Sequence, residues 1–187
     1  MGKRCFISLD ISDEEVRESL EKEQEKLSEW GNNSLTNPEN FHITVNFIGE
    51  IDEKEISQIT ASLNSLEAEK FGVKVKGLGA FPNNDYIKVV WAGVHDKDAK
   101  TEKIAGKVRS KIPEKHVQEN DFHPHITLMR LKNIGYEEKQ KLQEYLEKKG
   151  EKEIGKVQID EIKMKESKLT EKGAKHKTIY KKTLNEN

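Results

Sequence analysis

Phe41-His42-Ile43-Thr44-Val45-Asn46-Phe47-Ile48, closed by Gly49, reads as a β-strand, and its tripeptide His42-Ile43-Thr44 returns 83 residues later as His125-Ile126-Thr127. A strand points successive side chains to opposite faces. His42 and Thr44 therefore share one face, with Ile43 and Val45 behind them, and His125 and Thr127 are backed in the same way by Ile126 and Leu128. Each copy follows a charged helix, precedes another helix about ten residues further on, and is then followed by two strands. This repetition predicts an α+β, two-lobed duplicated fold, with antiparallel sheets, flanking helices and a central cleft. Residues 1–187 are expected to form a single domain of two pseudo-symmetric lobes, each carrying one His-x-Thr motif across the cleft from the other.

Working outward, periodicity predicts seven strands and four helices. Arg4 to Asp10 alternates as a strand, and Ser12 with Glu15 has the form of a capping box before a helical stripe of Val16, Leu20, Leu27 and Trp30. Asp52 with Glu55 repeats that signature ahead of Ile56, Ile59, Leu63 and Leu66. Val73 to Phe81 and Tyr86 to Val94 flank the turn residues Pro82-Asn83-Asn84-Asp85. A third helix fits Asp98 to Ile112, stopped by Pro113. Pro124 to Leu131 is strand-like, Tyr136 to Lys149 is helical with Gly150 as C-cap, and two last strands fit Val157 to Lys165 and Lys177 to Leu184.

Composition narrows the function classes. A length of 187 residues buries a sizeable core, and a balance of 33 Lys+Arg against 34 Asp+Glu argues against a protein that coats nucleic acid. That balance hides a gradient: residues 1–70 carry a net of −9 and residues 71–187 a net of +8. One cysteine excludes an intramolecular disulfide framework and a Cys-only zinc site; Cys5 is expected to pack as a small hydrophobe. No apolar stretch approaches the ~20 residues that span a bilayer, and Met1 to Asp10 lacks a signal-peptide core, so a cytoplasmic protein without membrane attachment is expected.

Two strands that each present an imidazole and a hydroxyl suit phosphodiester chemistry. In-line displacement at phosphorus needs one group to take a proton from the attacking water and another, on the opposite side, to protonate the leaving oxygen. Histidine, with an ordinary pKa of about 6.5, serves both roles near neutrality. The hydroxyls of Thr44 and Thr127 can donate to the non-bridging oxygens, and neither metal nor cofactor is required. Spacing alone leaves open which of His42 and His125 is acid and which is base. The rival on the same residues is a metal held by His123 and His125, but no acidic-histidine cluster accompanies that pair.

The chain also resembles the 2H phosphoesterases, in particular the RNA 2′,3′-cyclic phosphodiesterase (2′-5′ RNA ligase, LigT/ThpR) branch. The likeness is carried, in order, by Phe6-Ile7-Ser8-Leu9-Asp10, by Pro38 to Glu50 around the first motif, by Gly79-Ala80-Phe81-Pro82 with Val90-Trp91-Ala92-Gly93-Val94, by Phe122 to Arg130 around the second motif, and by Glu166-Ser167-Lys168-Leu169-Thr170 with Lys172-Gly173. The resemblance implies a LigT-like fold and hydrolysis of an RNA terminal 2′,3′-cyclic phosphate to a 2′-phosphomonoester, with 2′-5′ joining of tRNA halves as a second activity. It implies His42 as general acid, His125 as general base, and Thr44, Thr127 and Arg130 as phosphate contacts. The expected partner is RNA with a cyclic-phosphate end, acted on by a monomer. Asn46 departs from the pattern where a Lys is common, and Tyr86 to Lys88 stands where an Arg often precedes the Val-x-Trp segment.

Arg130 is one of four arginines against 29 lysines, but strict alternation turns it to the face opposite His125, so a phosphate role needs a bulge or the strand end. His95, His116 and His176 read as solvated, Trp91 as core, and Trp30 as core or cleft. The Lys-rich stretch from Lys163 to Lys182 reads as a solvated hairpin or an RNA-backbone track. Two other readings of the same residues are a non-catalytic RNA-end-binding module and a cyclic phosphodiesterase for small nucleotides.

Overall fold

In chain order the elements are β1 (Lys3–Asp10), α1 (Glu14–Leu27), β2 (Asn32–Leu35), β3 (His42–Ile51), α2 (Glu53–Asn64), β4 (Phe71–Asn83), β5 (Tyr86–His95), α3 (Lys100–Arg109), β6 (His125–Asn133), α4 (Tyr136–Lys149), β7 (Glu153–Ile159), β8 (Glu161–Thr170) and β9 (Gly173–Thr183). The computed structural model describes residues 2–118, 121–170 and 173–186; Lys172 of the closing motif lies outside them. Among these residues the strands form one antiparallel sheet in the order β7-β4-β5-β6-β3-β1-β8-β9, with β2 added along β6. The α+β class with antiparallel strands and flanking helices is the one the sequence predicts.

The topology differs from two sequential lobes. The hairpin β4–β5 follows the first motif yet joins the second motif's strand β6, and β8 follows the second motif yet pairs with β1 beside β3. The repeat is thus interleaved: the half of the sheet around β3 takes in β8 and β9 from the end of the chain, and the half around β6 takes in β4 and β5 from before it. Val157 to Lys165, expected as one strand, is two: β7 pairs with β4, β8 pairs with β1, and only Asp160 lies between them. One residue spans at most ~7 Å between its neighbours' Cα atoms. The sheet must therefore curl until those distant strands meet.

Local chemistry sets the helices. Asp52 and Glu55 make the full capping box of α2, with bonds of 2.8 and 3.3 Å. In α1 the cap is Asp13 rather than Ser12, its carboxylate accepting from Val16 N at 2.9 Å. α3 begins only at Lys100, because the Asp96 carboxylate takes the backbone N–H groups of Lys100 and Thr101. Gly150 follows α4 in a right-handed conformation, so it is not a left-handed cap. β2 escaped the periodic reading because Asn32-Asn33-Ser34-Leu35 has no apolar alternation; backbone pairing with β6 makes it a strand.

The core lies under the sheet, where Ile7, Leu9, Ile43, Val45, Ile126 and Leu128 pack with Leu20, Leu27, Ile59 and Leu142 from the helices. Both motif strands carry a bulge at the same place. Ile7 and Ser8 of β1 face Asn46 and Thr44, leaving Val45 extra. Val90 and Trp91 of β5 face Met129 and Thr127, leaving Leu128 extra. Val45 and Leu128 are themselves 83 residues apart.

Candidate active site

The motif strands β3 and β6 meet edge to edge through one antiparallel pair, Ile43 with Ile126. They are neighbours in one sheet, not walls facing across a gap. Both isoleucines are fully buried, which turns the flanking His42, Thr44, His125 and Thr127 to the other face. On this register His42 stands beside Thr127 and Thr44 beside His125. Each imidazole neighbours the other motif's hydroxyl, and the two imidazoles occupy a diagonal. Diagonal positions across antiparallel strands are about 7–8 Å apart. A phosphoryl group fits between two imidazoles so placed.

Both rings are oriented in the same way. His42 Nδ1 lies 2.5 Å from the carbonyl oxygen of Asn40, and His125 Nδ1 lies 2.6 Å from that of His123. A carbonyl only accepts, so each Nδ1 carries a proton and each Nε2 is left for chemistry. The Thr44 hydroxyl donates to His42 Nε2 at 3.0 Å. Burial drives the His42 pKa down to about 4, with the charges of Lys165 and His176 pushing the same way and the Asn40 carbonyl and Asp10 opposing. Burial likewise lowers His125; the hydrogen bond to the His123 carbonyl opposes it, while the charges of His123 and Arg130 push the same way as burial. Without substrate both imidazoles are neutral at pH 7.

This has a consequence for stability. The unfolded chain takes up a proton at His42 near pH 6.5, but the folded chain refuses it until about 4. Stability therefore falls as pH drops through that window, by on the order of 3 kcal/mol for this group. Urea unfolding from pH 7 to pH 4 is expected to show the fall, and His42→Asn to flatten it. An equal slope in that variant would contradict the assignment.

The bulge at Leu128 resolves the orientation of Arg130. It makes Leu128 and Met129 both buried, which shifts the alternation so that Leu131 turns inward and Arg130 outward, onto the face of His125 and Thr127. The equivalent bulge at Val45 buries Asn46 and turns Phe47 outward at the position matching Arg130. Asn46 thus faces away from the site. Its side chain donates to the carbonyls of Phe47 and His116 and accepts from Gln118 N.

Several residues of this face carried no functional signal in the sequence. His176, expected to be solvated, packs edge-on against His42 with ring centroids 5.5 Å apart, and against Phe6 at 4.8 Å. Its Nδ1 is buried without a hydrogen-bond partner among the described residues. Asp10 sits across from His42 in the β1–β3 register and accepts from Ser8 Oγ, from Lys163 Nζ at 3.0 Å and from Lys165 Nζ at 2.7 Å. Burial alone would raise the Asp10 carboxyl, but the two lysines more than offset it and hold it low. Around His125, Phe81 lies 4.8 Å away and stacks on Trp91, which reaches His123 at 4.9 Å. Trp91 is only partly buried, not core, while Trp30 packs on Tyr145. His116 is also engaged, bonded to the Ile48 carbonyl and to Glu55. Cys5 is buried in the core. Among the described residues, no three His, Cys, Asp or Glu side chains are grouped to hold a metal ion, and no helix is long and apolar enough to cross a membrane.

Comparison with known proteins places this geometry. The family described as the AKAP7 2'5' RNA ligase-like domain matches residues 5–183. The protein called RNA 2',3'-cyclic phosphodiesterase in Aeropyrum pernix is 38% identical over 148 residues, which are 76% of this chain and 81% of that one. Its namesake in Methanocaldococcus jannaschii is 33% identical over 178 residues, 94% of this chain and 98% of that one. The crystal structure of E. coli LigT in apo form superposes with a TM-score of 0.77 at 19% identity, covering 98% of each chain. A crystal structure from Thermus thermophilus also reaches 0.77, at 24% identity over 97% of each. These two share the fold. The match across nearly the whole chain, with both His-x-Thr strands inside it, shows that the chain belongs to the AKAP7 2'5' RNA ligase-like family of 2H phosphoesterases.

Proposed function

We propose that this protein is a cyclic phosphodiesterase that opens the terminal 2′,3′-cyclic phosphate of RNA to a 2′-phosphomonoester. The observation that carries the reading is the matched pair of imidazoles, each with Nδ1 tied to the carbonyl two residues earlier and Nε2 left for chemistry. The relatives from Aeropyrum pernix and Methanocaldococcus jannaschii are called RNA 2',3'-cyclic phosphodiesterase, which supports the cyclic-phosphate substrate. In this reading the cyclic phosphate lies between the two Nε2 atoms. The anion draws a proton onto His42, raising the pKa that burial had lowered. His125 Nε2 accepts a proton from water as its oxygen attacks phosphorus. The P–O3′ bond breaks in line, and His42 Nε2–H delivers its proton to O3′. Thr44, Thr127 and Arg130 hold the non-bridging oxygens. The product leaves His42 neutral and His125 protonated, and exchange with solvent resets both. The two halves of the sheet act here as one domain, since each supplies one imidazole.

Incubation with a short RNA ending in a 2′,3′-cyclic phosphate is expected to yield the 2′-phosphate isomer, with undiminished rate in EDTA and a bell-shaped pH profile of kcat/KM. Saturable binding without turnover would support an RNA-end-binding module instead. Turnover confined to mononucleotide cyclic phosphates would support a small-nucleotide enzyme. Loss in EDTA with recovery on adding Zn²⁺ or Mn²⁺ would replace the two-histidine chemistry with a metal mechanism.

A further inference from the structure

We infer that Gln24, on helix α1, is a positioning residue that pins the β6 bulge and so aims Arg130 at the phosphate site. Gln24 is only 4% exposed, a polar side chain on the buried side of α1 with Val16, Leu20, Glu23 and Leu27. Its Nε2 donates to the Leu128 carbonyl at 2.8 Å and to the Thr36 carbonyl at 2.7 Å. Leu128 is the extra residue of the bulge, and its carbonyl also accepts from Thr36 N at 2.9 Å. One planar amide with two N–H donors thus ties the irregular turn of β6 to the end of β2 and to α1. A bulge leaves backbone groups without ladder partners, and a buried one needs donors from elsewhere. A neutral amide supplies two donors without burying a charge: a carboxylate would oppose two carbonyls with acceptors, and an apolar side chain would leave one of the carbonyls bare.

The bulge decides the direction of Arg130, two residues on. Arg130 lies close enough to His125 for its charge to help depress that imidazole. The matching bulge at Val45 is secured differently, by Asn46 from within its own strand, and there the outward residue is Phe47. The half of the site that carries a guanidinium is therefore the half held by the helix. This inference rests on the proposed phosphate role of Arg130, and its test separates the two.

Gln24→Leu is expected to lower kcat/KM on a cyclic-phosphate RNA about tenfold, the worth of roughly one buried hydrogen bond. In an Arg130→Met background the same change is expected to cost less than twofold, because the residue it positions is gone. Gln24→Met serves should the leucine variant not fold. An independent readout is the Arg130 side-chain Nε–H resonance in ¹⁵N-labelled protein, expected to shift in either Gln24 variant. A loss as large in the Arg130→Met background, no loss at all, or an unmoved Arg130 resonance would overturn the inference. If Arg130→Met alone leaves kcat/KM unchanged, the phosphate role of Arg130 fails. If the wild type turns over no cyclic phosphate, the functional reading fails while the resonance still decides whether Gln24 positions Arg130.

Discussion

Alanine at His42 or at His125 is expected to lower kcat/KM for a 2′,3′-cyclic phosphate RNA by about 10²–10⁴, the range a positioned acid or base supplies. The two losses should not add. Once one imidazole is missing the concerted proton transfer is broken, and removing the other costs little more. The fold should survive, because both side chains are only partly buried and the adjoining Ile43–Ile126 pair keeps β3 and β6 together. Burial also lowers both imidazole pKa values, so each ring is held in an environment that disfavours its charge; removing either cannot leave a buried charge behind. Initial rates and thermal unfolding of the single and double variants check this. Near-normal rates in both single variants would end the two-histidine mechanism, and additive losses would argue that the rings act in separate steps.

Asp10→Ala is expected to be the most destabilising single change on the site face. Lys165, whose side chain is 5% exposed, lies 2.7 Å from Asp10, and no other carboxylate is within ion-pair distance of it among the described residues. Removing Asp10 leaves a buried ammonium uncompensated, a change that costs about 3–5 kcal/mol. For a chain of this size that lowers Tm by about 6–20 °C. Lys163 suffers less, because Glu161 remains 3.4 Å away. The companion variant Asp10→Ala with Lys165→Met should recover most of the loss, since it removes the stranded charge. Calorimetry of the three proteins tests this, and an Asp10→Ala protein as stable as wild type would show that the pair is not balanced as described. Asp10 also opposes the downward push on the His42 pKa, so its loss should move the acidic limb of the kcat/KM profile to lower pH.

The duplicated tripeptide was legible because strand alternation is local. Two His-x-Thr segments with aliphatic residues between and behind them place imidazole and hydroxyl on one face wherever they fold. The α2 capping box was legible for the same reason, since Asp52 and Glu55 are three residues apart and satisfy each other's backbone. The split between β7 and β8 was not, because it left only a one-residue phase change, from Val157 and Ile159 to Ile162 and Met164, which a bulge within one strand would also produce; the distant partners β4 and β1 are what pull the two strands apart. Nor was the role of His176, whose neighbours Phe6 and His42 lie some 170 and 134 positions earlier in the chain.

The sequence by itself determined the repeat, the α+β class, the pair of histidines and the charge gradient that leaves residues 71–187 basic. All of these follow from side-chain chemistry and the two-residue period of a strand. Only the tertiary structure decided which residues stand beside the histidines. It interleaved the two repeats, brought β8 and β9 to His42 and β4 and β5 to His125, and through the Leu128 bulge turned Arg130 onto the face of His125 and Thr127. A bulge arises from pairing with a neighbouring strand, and a curled sheet from the meeting of its distant strands. Neither is encoded in any single segment.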